Sequence, residues 1–165
     1  MRSIAILISS AALLFLYSFQ TNECANIPGI NKKIVAYVKT QIGKKCGDYC
    51  NDVFEKAHKA AGLSWWGDPI GTRIDHTKEC VYPGDMLKLD QVELTWEKNG
   101  GTTGLKYDMT VIYFIYKVKG KGSYTVVRTA TIDGKMKVIE QDLEINKYKG
   151  RKPEIKRPGT PNTID

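Results

Sequence analysis

The order of hydrophobic patterns along the chain predicts an α+β domain. Two stretches with helical spacing come first, and apolar runs of strand type separated by turn residues fill the second half. Asn31 is positioned to cap a first helix running to about Ile42, with Ile34, Val35, Val38 and Ile42 on one face and Gly43 as the stop. Asp48 is the expected cap of a second helix, in which Tyr49, Cys50, Val53, Phe54, Ala57 and Ala61 recur at helical spacing before Gly62. Between Leu63 and Val81 the pattern is broken by Gly67, Pro69 and Gly71. That stretch reads as a structured loop anchored by Trp65 and Trp66. Strands are expected at Met86 to Leu89, Val92 to Trp96, Met109 to Val118, Tyr124 to Ile132 and Lys135 to Leu143. Gly120 to Ser123 and Asp133-Gly134 supply turns between adjacent runs, the second of the primed hairpin kind, so the strands should pair consecutively as an antiparallel meander. The run from Thr110 to Val118 is apolar on both faces, which predicts a central strand with helix on one side.

Ahead of this domain, Arg2 precedes an apolar run from Ile4 to Phe19, and polar residues Gln20 to Glu23 follow at once, the pattern of a secretory leader. The run is shorter than the ~20 residues that span a bilayer and lacks a basic flank behind it, so cleavage is favoured over anchoring. Residues 1–25 are therefore assigned to a signal peptide, with the mature start expected between Phe19 and Ile27. Residues 26–158 are assigned to one domain and 159–165 to a flexible tail. The expected product is a secreted protein with no transmembrane segment after cleavage.

The formal charge of +7 is unevenly placed, because Lys147, Lys149, Arg151, Lys152, Lys156 and Arg157 crowd the C-terminal end against Glu154 and Asp165. A basic end attracts anionic surfaces, although a solvated, solubilising tail accounts for the same residues. Nucleic acid is not expected, since the lysines are not interleaved with stacking aromatics. The partner classes left are an anionic surface or a peptide-like ligand.

Four cysteines at positions 24, 46, 50 and 80 read differently according to the cut. If Cys24 is removed, an odd count remains in an oxidising compartment; if it is kept, two disulfides are admissible in three connectivities. The expectation is one disulfide, Cys46 to Cys80, because both lie at element ends, with Cys50 reduced. Closing that loop is worth roughly 3 to 4 kcal/mol in the chain-entropy model. A second reading makes Cys50 a disulfide partner of Cys46 or Cys80. Zinc on Cys46, Cys50, His76 and Cys80 is disfavoured by the three-residue gaps and by export, and no metal or other cofactor is expected.

Cys50 falls in the first turn of the second helix, where the positive helix end and unpaired amides lower a thiol pKa and can hold an oxyanion. The segment Gly47-Asp48-Tyr49-Cys50-Asn51-Asp52-Val53-Phe54-Glu55-Lys56-Ala57 resembles the nucleophile helix of NlpC and CHAP type amidases. Trp66-Gly67, Pro83-Gly84-Asp85-Met86-Leu87, Thr102-Thr103-Gly104, Val138-Ile139-Glu140-Gln141-Asp142 and Lys156-Arg157-Pro158 resemble, in order, the cysteine-proteinase-fold domain at the C-terminus of fungal actin-patch proteins that interact with myosin tails. The resemblance implies a papain-like or CHAP-like fold, N-terminal helices on an antiparallel meander, with Cys50 at the nucleophile position. It puts Asp108 where the catalytic histidine normally opens the long strand, Asp142 at the position that orients that histidine, and Gln141 and Trp66 among ligand-binding side chains.

Neither His58 nor His76 occupies the family's histidine position. A thiol with pKa near 8.5 is only about 3% thiolate at neutral pH, and a carboxylate beside it disfavours the thiolate and is a poor proton acceptor. The expected function is therefore that of a catalytically degenerate binding or structural module. The alternative is an active thiol hydrolase of peptidase or amidase type, using Cys50 and a relocated base such as His76.

Overall fold

The computed structural model describes residues 24–46, 51–64 and 71–159, and these form a mixed α+β structure in three layers. Helices α1 (Gly29–Gln41) and α2 (Asn51–Ala60) make the first layer. A six-stranded sheet in the order β1 (Gly71–Ile74), β9 (Glu154–Pro158), β2 (Met86–Leu89), β5 (Val111–Gly120), β6 (Ser123–Ile132), β7 (Lys135–Glu144) makes the second. The third is a small sheet in which β3 (Val92–Lys98) lies between β4 (Gly101–Tyr107) and β8 (Tyr148–Gly150). Every strand pair is antiparallel.

Strand alternation divides the core in two. Met86, Phe114, Val127 and Val138 face the helices and pack with Ile34, Val38, Val53 and Ala57. Their neighbours Leu87, Ile115 and Val126 point the other way, onto Leu94 and Trp96 of the small sheet. The two-sided apolar character of β5 thus reflects its position between β2 and β6 with a layer on each face. Phe114 is the hub of the helix face, with its ring centroid 4.9 Å from that of Phe54 and 5.4 Å from that of His58.

The hairpin between β6 and β7 turns on Asp133 and Gly134, both with positive φ (51° and 68°), as a primed turn requires. The architecture departs from a simple meander at the end of the chain. Instead of a solvated tail, the C-terminal segment supplies β8 to the small sheet and β9 to the large one, where β9 inserts between β1 and β2. Lys149 and Arg157 are accordingly strand residues. The stretch read as a loop contains β1, and Thr102-Thr103-Gly104, placed before the long strand, lies within β4. Residues 160–165 of the proposed tail and 1–23 of the proposed leader lie outside the described residues.

Asn31 does not cap α1. Pro28 stands at the cap position, while Asn31 is fully buried and donates from Nδ2 to Asp85 Oδ1 (2.8 Å) and to the Pro83 carbonyl (3.1 Å). Gly84 permits this approach: its φ is +91°, and a Cβ there would meet the Asn31 carbonyl oxygen at 2.7 Å.

Candidate functional site

The sequence-derived constellation can be followed residue by residue. Cys50, with Asp48 and the rest of 47–50, lies outside the described residues, as does Trp66. The helix that follows Cys50 packs across β5 through Phe54 and Phe114. Of the two histidines, His58 is buried on that helix, and its Nδ1 lies 2.8 Å from the Phe54 carbonyl oxygen, so this nitrogen carries the proton as donor. Burial lowers its pKa and the bond to Phe54 works against that shift. His76 follows β1, three strands from β5 and so roughly 14 Å away by strand spacing. Burial lowers its pKa, opposed first by a hydrogen bond with the Asn146 side chain. It shares a cleft of about 230 Å³ with Asp75, Glu79 and Glu154.

Asp108 and Asp142 are not brought together. Asp108 stands in the turn before β5, with its side chain 77% exposed and 2.8 Å from Lys106 Nζ. Asp142 lies near the far end of β7, opposite Thr125 of β6, which is in turn opposite Lys117 of β5. From Val111 to Lys117 is roughly 20 Å of strand, so the two carboxylates sit at opposite ends of β5. The expectation that Asp142 orients a group at position 108 is corrected by that register. Asp142 instead accepts from Lys119 Nζ (2.5 Å) and Thr125 Oγ1 (2.8 Å), and both bonds hold its carboxyl below the usual carboxylate range, the lysine most. Gln141 accepts from Arg128 Nε.

The expected Cys46 to Cys80 disulfide is also corrected: Cys80 is bonded to Cys24, with their Cα atoms 5.4 Å apart. The reason lies in where the elements pack. Cys24 leads into α1, whose Asn31 is held on Pro83 and Asp85, so the start of the chain lies beside the entry to β2. Cys46 instead runs along β7, donating its backbone N–H to the Met136 carbonyl. β7 is three strands from β2, roughly 14 Å. Cys46 is itself disulfide-bonded. Disulfide-bonded Cys46 and Cys80 offer no thiolate to a metal, and among the described residues no group of three or more His, Cys, Asp or Glu side chains is placed to hold one.

Two features were not singled out from the sequence. The first is the buried carboxylate of Asp85, which meets Arg157 and Asn31 and accepts from the Tyr82 N–H (2.9 Å). In the sequence it stands in the Pro83 to Leu87 segment, between a Pro-Gly turn and an apolar run, with nothing local to mark it as buried. The second is a cleft of about 490 Å³, within the size range of ligand sites, between β7 and the β3–β4 hairpin. It is lined by Trp96, Lys98, Thr103, Thr125, Gln141 and Asp142, among others. Sequence reasoning reached Gln141 and Asp142 as site residues. Their neighbours come from β3, β4 and β6 and share no local motif with them. No family model, curated protein sequence or solved structure matches the chain.

Proposed function

We propose that this protein is a secreted binding module without thiol chemistry, built on a scaffold related to the papain-like and CHAP-like hydrolases. The observation that carries the reading is the cysteine inventory. Cys24 and Cys80 are bonded to each other and Cys46 is also disulfide-bonded, so none of the described cysteines offers a thiol. We take Cys50 as the partner of Cys46, one of the two pairings open to it from the sequence, and such a bond removes the nucleophile altogether. The scaffold reading is supported by α2 packed across β5 at Phe54 and Phe114, and by a helix layer on an antiparallel sheet.

The separation of Asp108 from Asp142 supports the same conclusion, because a base introduced at position 108 does not have Asp142 beside it to orient it. Hydrolysis through a relocated base is the weaker reading: Nδ1 of His58 is committed to the Phe54 carbonyl, and His76 lies beyond β1. The leader reading narrows as well. With Cys24 in a disulfide, the mature chain of a secreted form begins at or before Cys24. The test is native, non-reducing incubation with a thiol-reactive amidase probe. No labelling is the expected result, and labelling at Cys50 overturns the reading.

A further inference from the structure

β7 is the last strand of the large sheet, and its outer edge is covered unevenly. Along its first half, Gly43 donates to the Val138 carbonyl (2.8 Å), Val138 donates to the Lys44 carbonyl (3.0 Å) and Cys46 donates to the Met136 carbonyl (3.1 Å). These bonds fix which backbone groups point away from β6. Val138 uses both of its groups outward, so by strand alternation Glu140, Asp142 and Glu144 direct theirs outward too. Among the described residues no strand pairs with β7 beyond Val138 on that side. The 490 Å³ cleft opens along this half, between Glu140 to Asp142 on one side and Trp96, Lys98 and Thr103 on the other. A strand edge that no described strand pairs with, beside a groove, is the geometry that accepts an extended peptide by strand addition.

The side chains on that edge state which peptide. Glu140, Asp142 and Glu144 form a row of carboxylates at alternate positions, on a chain whose net charge is +7. Lys117 and Lys119 reach Glu140 and Asp142 from β5, two strands further in, at 3.1 and 2.5 Å. An arriving strand therefore meets the carboxylates first, with Lys117 and Lys119 paired to two of them from behind and Lys98 across the cleft, so a basic segment competes with these lysines for the same carboxylates. A second copy of β7 laid antiparallel across this edge sets carboxylate against carboxylate, which is unfavourable, so self-pairing is disfavoured. We infer that the half of β7 beyond Val138 binds an extended peptide segment with Lys or Arg at alternate positions. The segment continues the edge pairing that Gly43 to Cys46 begin and lies along the cleft. This rests on the binding-module reading and names its ligand class.

The test uses the full chain and a capped five-residue peptide that alternates lysine with valine and threonine, with binding followed by fluorescence anisotropy and by amide exchange. Saturable binding below roughly 1 mM is expected, with slowed exchange at the Glu140 and Asp142 amides. Methylating one alternate set of peptide amides should weaken binding by about tenfold or more while methylating the other set does not. An acidic counterpart should not bind, and the variant carrying Glu140→Lys and Asp142→Lys should lose the basic peptide. Because that variant could misfold, the wild-type exchange and methylation results decide by themselves. No saturable binding, unchanged exchange at Glu140 and Asp142, or equal affinity for both methylated peptides overturns the inference. Thiol labelling tests the non-catalytic reading separately, so either can fail alone.

Discussion

The guanidinium of Arg157 stands 3.2 Å from the carboxylate of Asp85, a side chain with no solvent exposure, and ties the last strand of the chain to the entry of β2. Arg157 also donates to the Cys80 carbonyl and stacks over the Tyr82 ring, 4.6 Å from its centroid. Asn31 approaches the same carboxylate from α1. One buried group thus joins the helix layer, the disulfide segment and β9. Asp85→Ala leaves a half-buried guanidinium without its counter-charge and should cost about 3 to 5 kcal/mol, more than Asp85→Ala adds in a background that already carries Arg157→Met. Denaturant melts of the two single variants and the double variant check this, and additive losses would count against a direct pair.

The protonation of Asp85 has a defined sign. Desolvation raises its pKa above the ordinary 3.8, while the Tyr82 N–H, Arg157 and Asn31 oppose the rise. A carboxyl whose folded pKa exceeds its unfolded value contributes stability that is fully present below about 3.8 and lost as pH rises through the folded value. Arg157→Gln removes an opposing influence, so the Asp85 pKa should move further up. Carboxyl carbon chemical shifts followed against pH report it, and a lower or unchanged midpoint in the variant would contradict the account.

Cys24 to Cys80 closes a loop with a sequence separation of 56. In the chain-entropy model such a loop is worth about 4 kcal/mol. Cys24→Ser should therefore destabilise the fold by that order, and Cys80→Ser by a similar amount. A chain starting after Cys24 should match them. A stability indifferent to Cys24 would place the staple elsewhere.

Asp108→His puts an imidazole on an exposed turn next to Lys106, at the opposite end of β5 from Asp142. The variant should fold normally and acquire no alkylatable thiol and no amidase activity. Rapid alkylation at Cys50 in this variant would restore the hydrolase reading.

The sequence pattern specified the parts of the fold governed by local periodicity. The apolar runs of Met86 to Leu89 and Lys135 to Leu143 marked two strands of the large sheet, and Asp133-Gly134 marked its hairpin. β9 escaped because Lys156 and Arg157 look like solvated charge until Asp85, 72 residues earlier, supplies the buried partner. β4 escaped because Gly-Thr-Thr-Gly carries no alternation, and its residues are mostly exposed on an edge. Asn31 misled for a related reason: a good capping residue is equally a good buried donor, and long-range packing decided between the two. At the candidate site, Gln141 and Asp142 were legible as polar residues on a strand. Their distance from Asp108 depends on register across three strands, which no local motif encodes.

The cysteine pairing tests the central claim most directly. Peptide mapping of unreduced protein recovered from the medium of expressing cells should yield the Cys24–Cys80 pair and a Cys46–Cys50 pair, with no alkylated cysteine. A Cys46–Cys80 peptide, or Cys50 carrying the alkylating label, would contradict it.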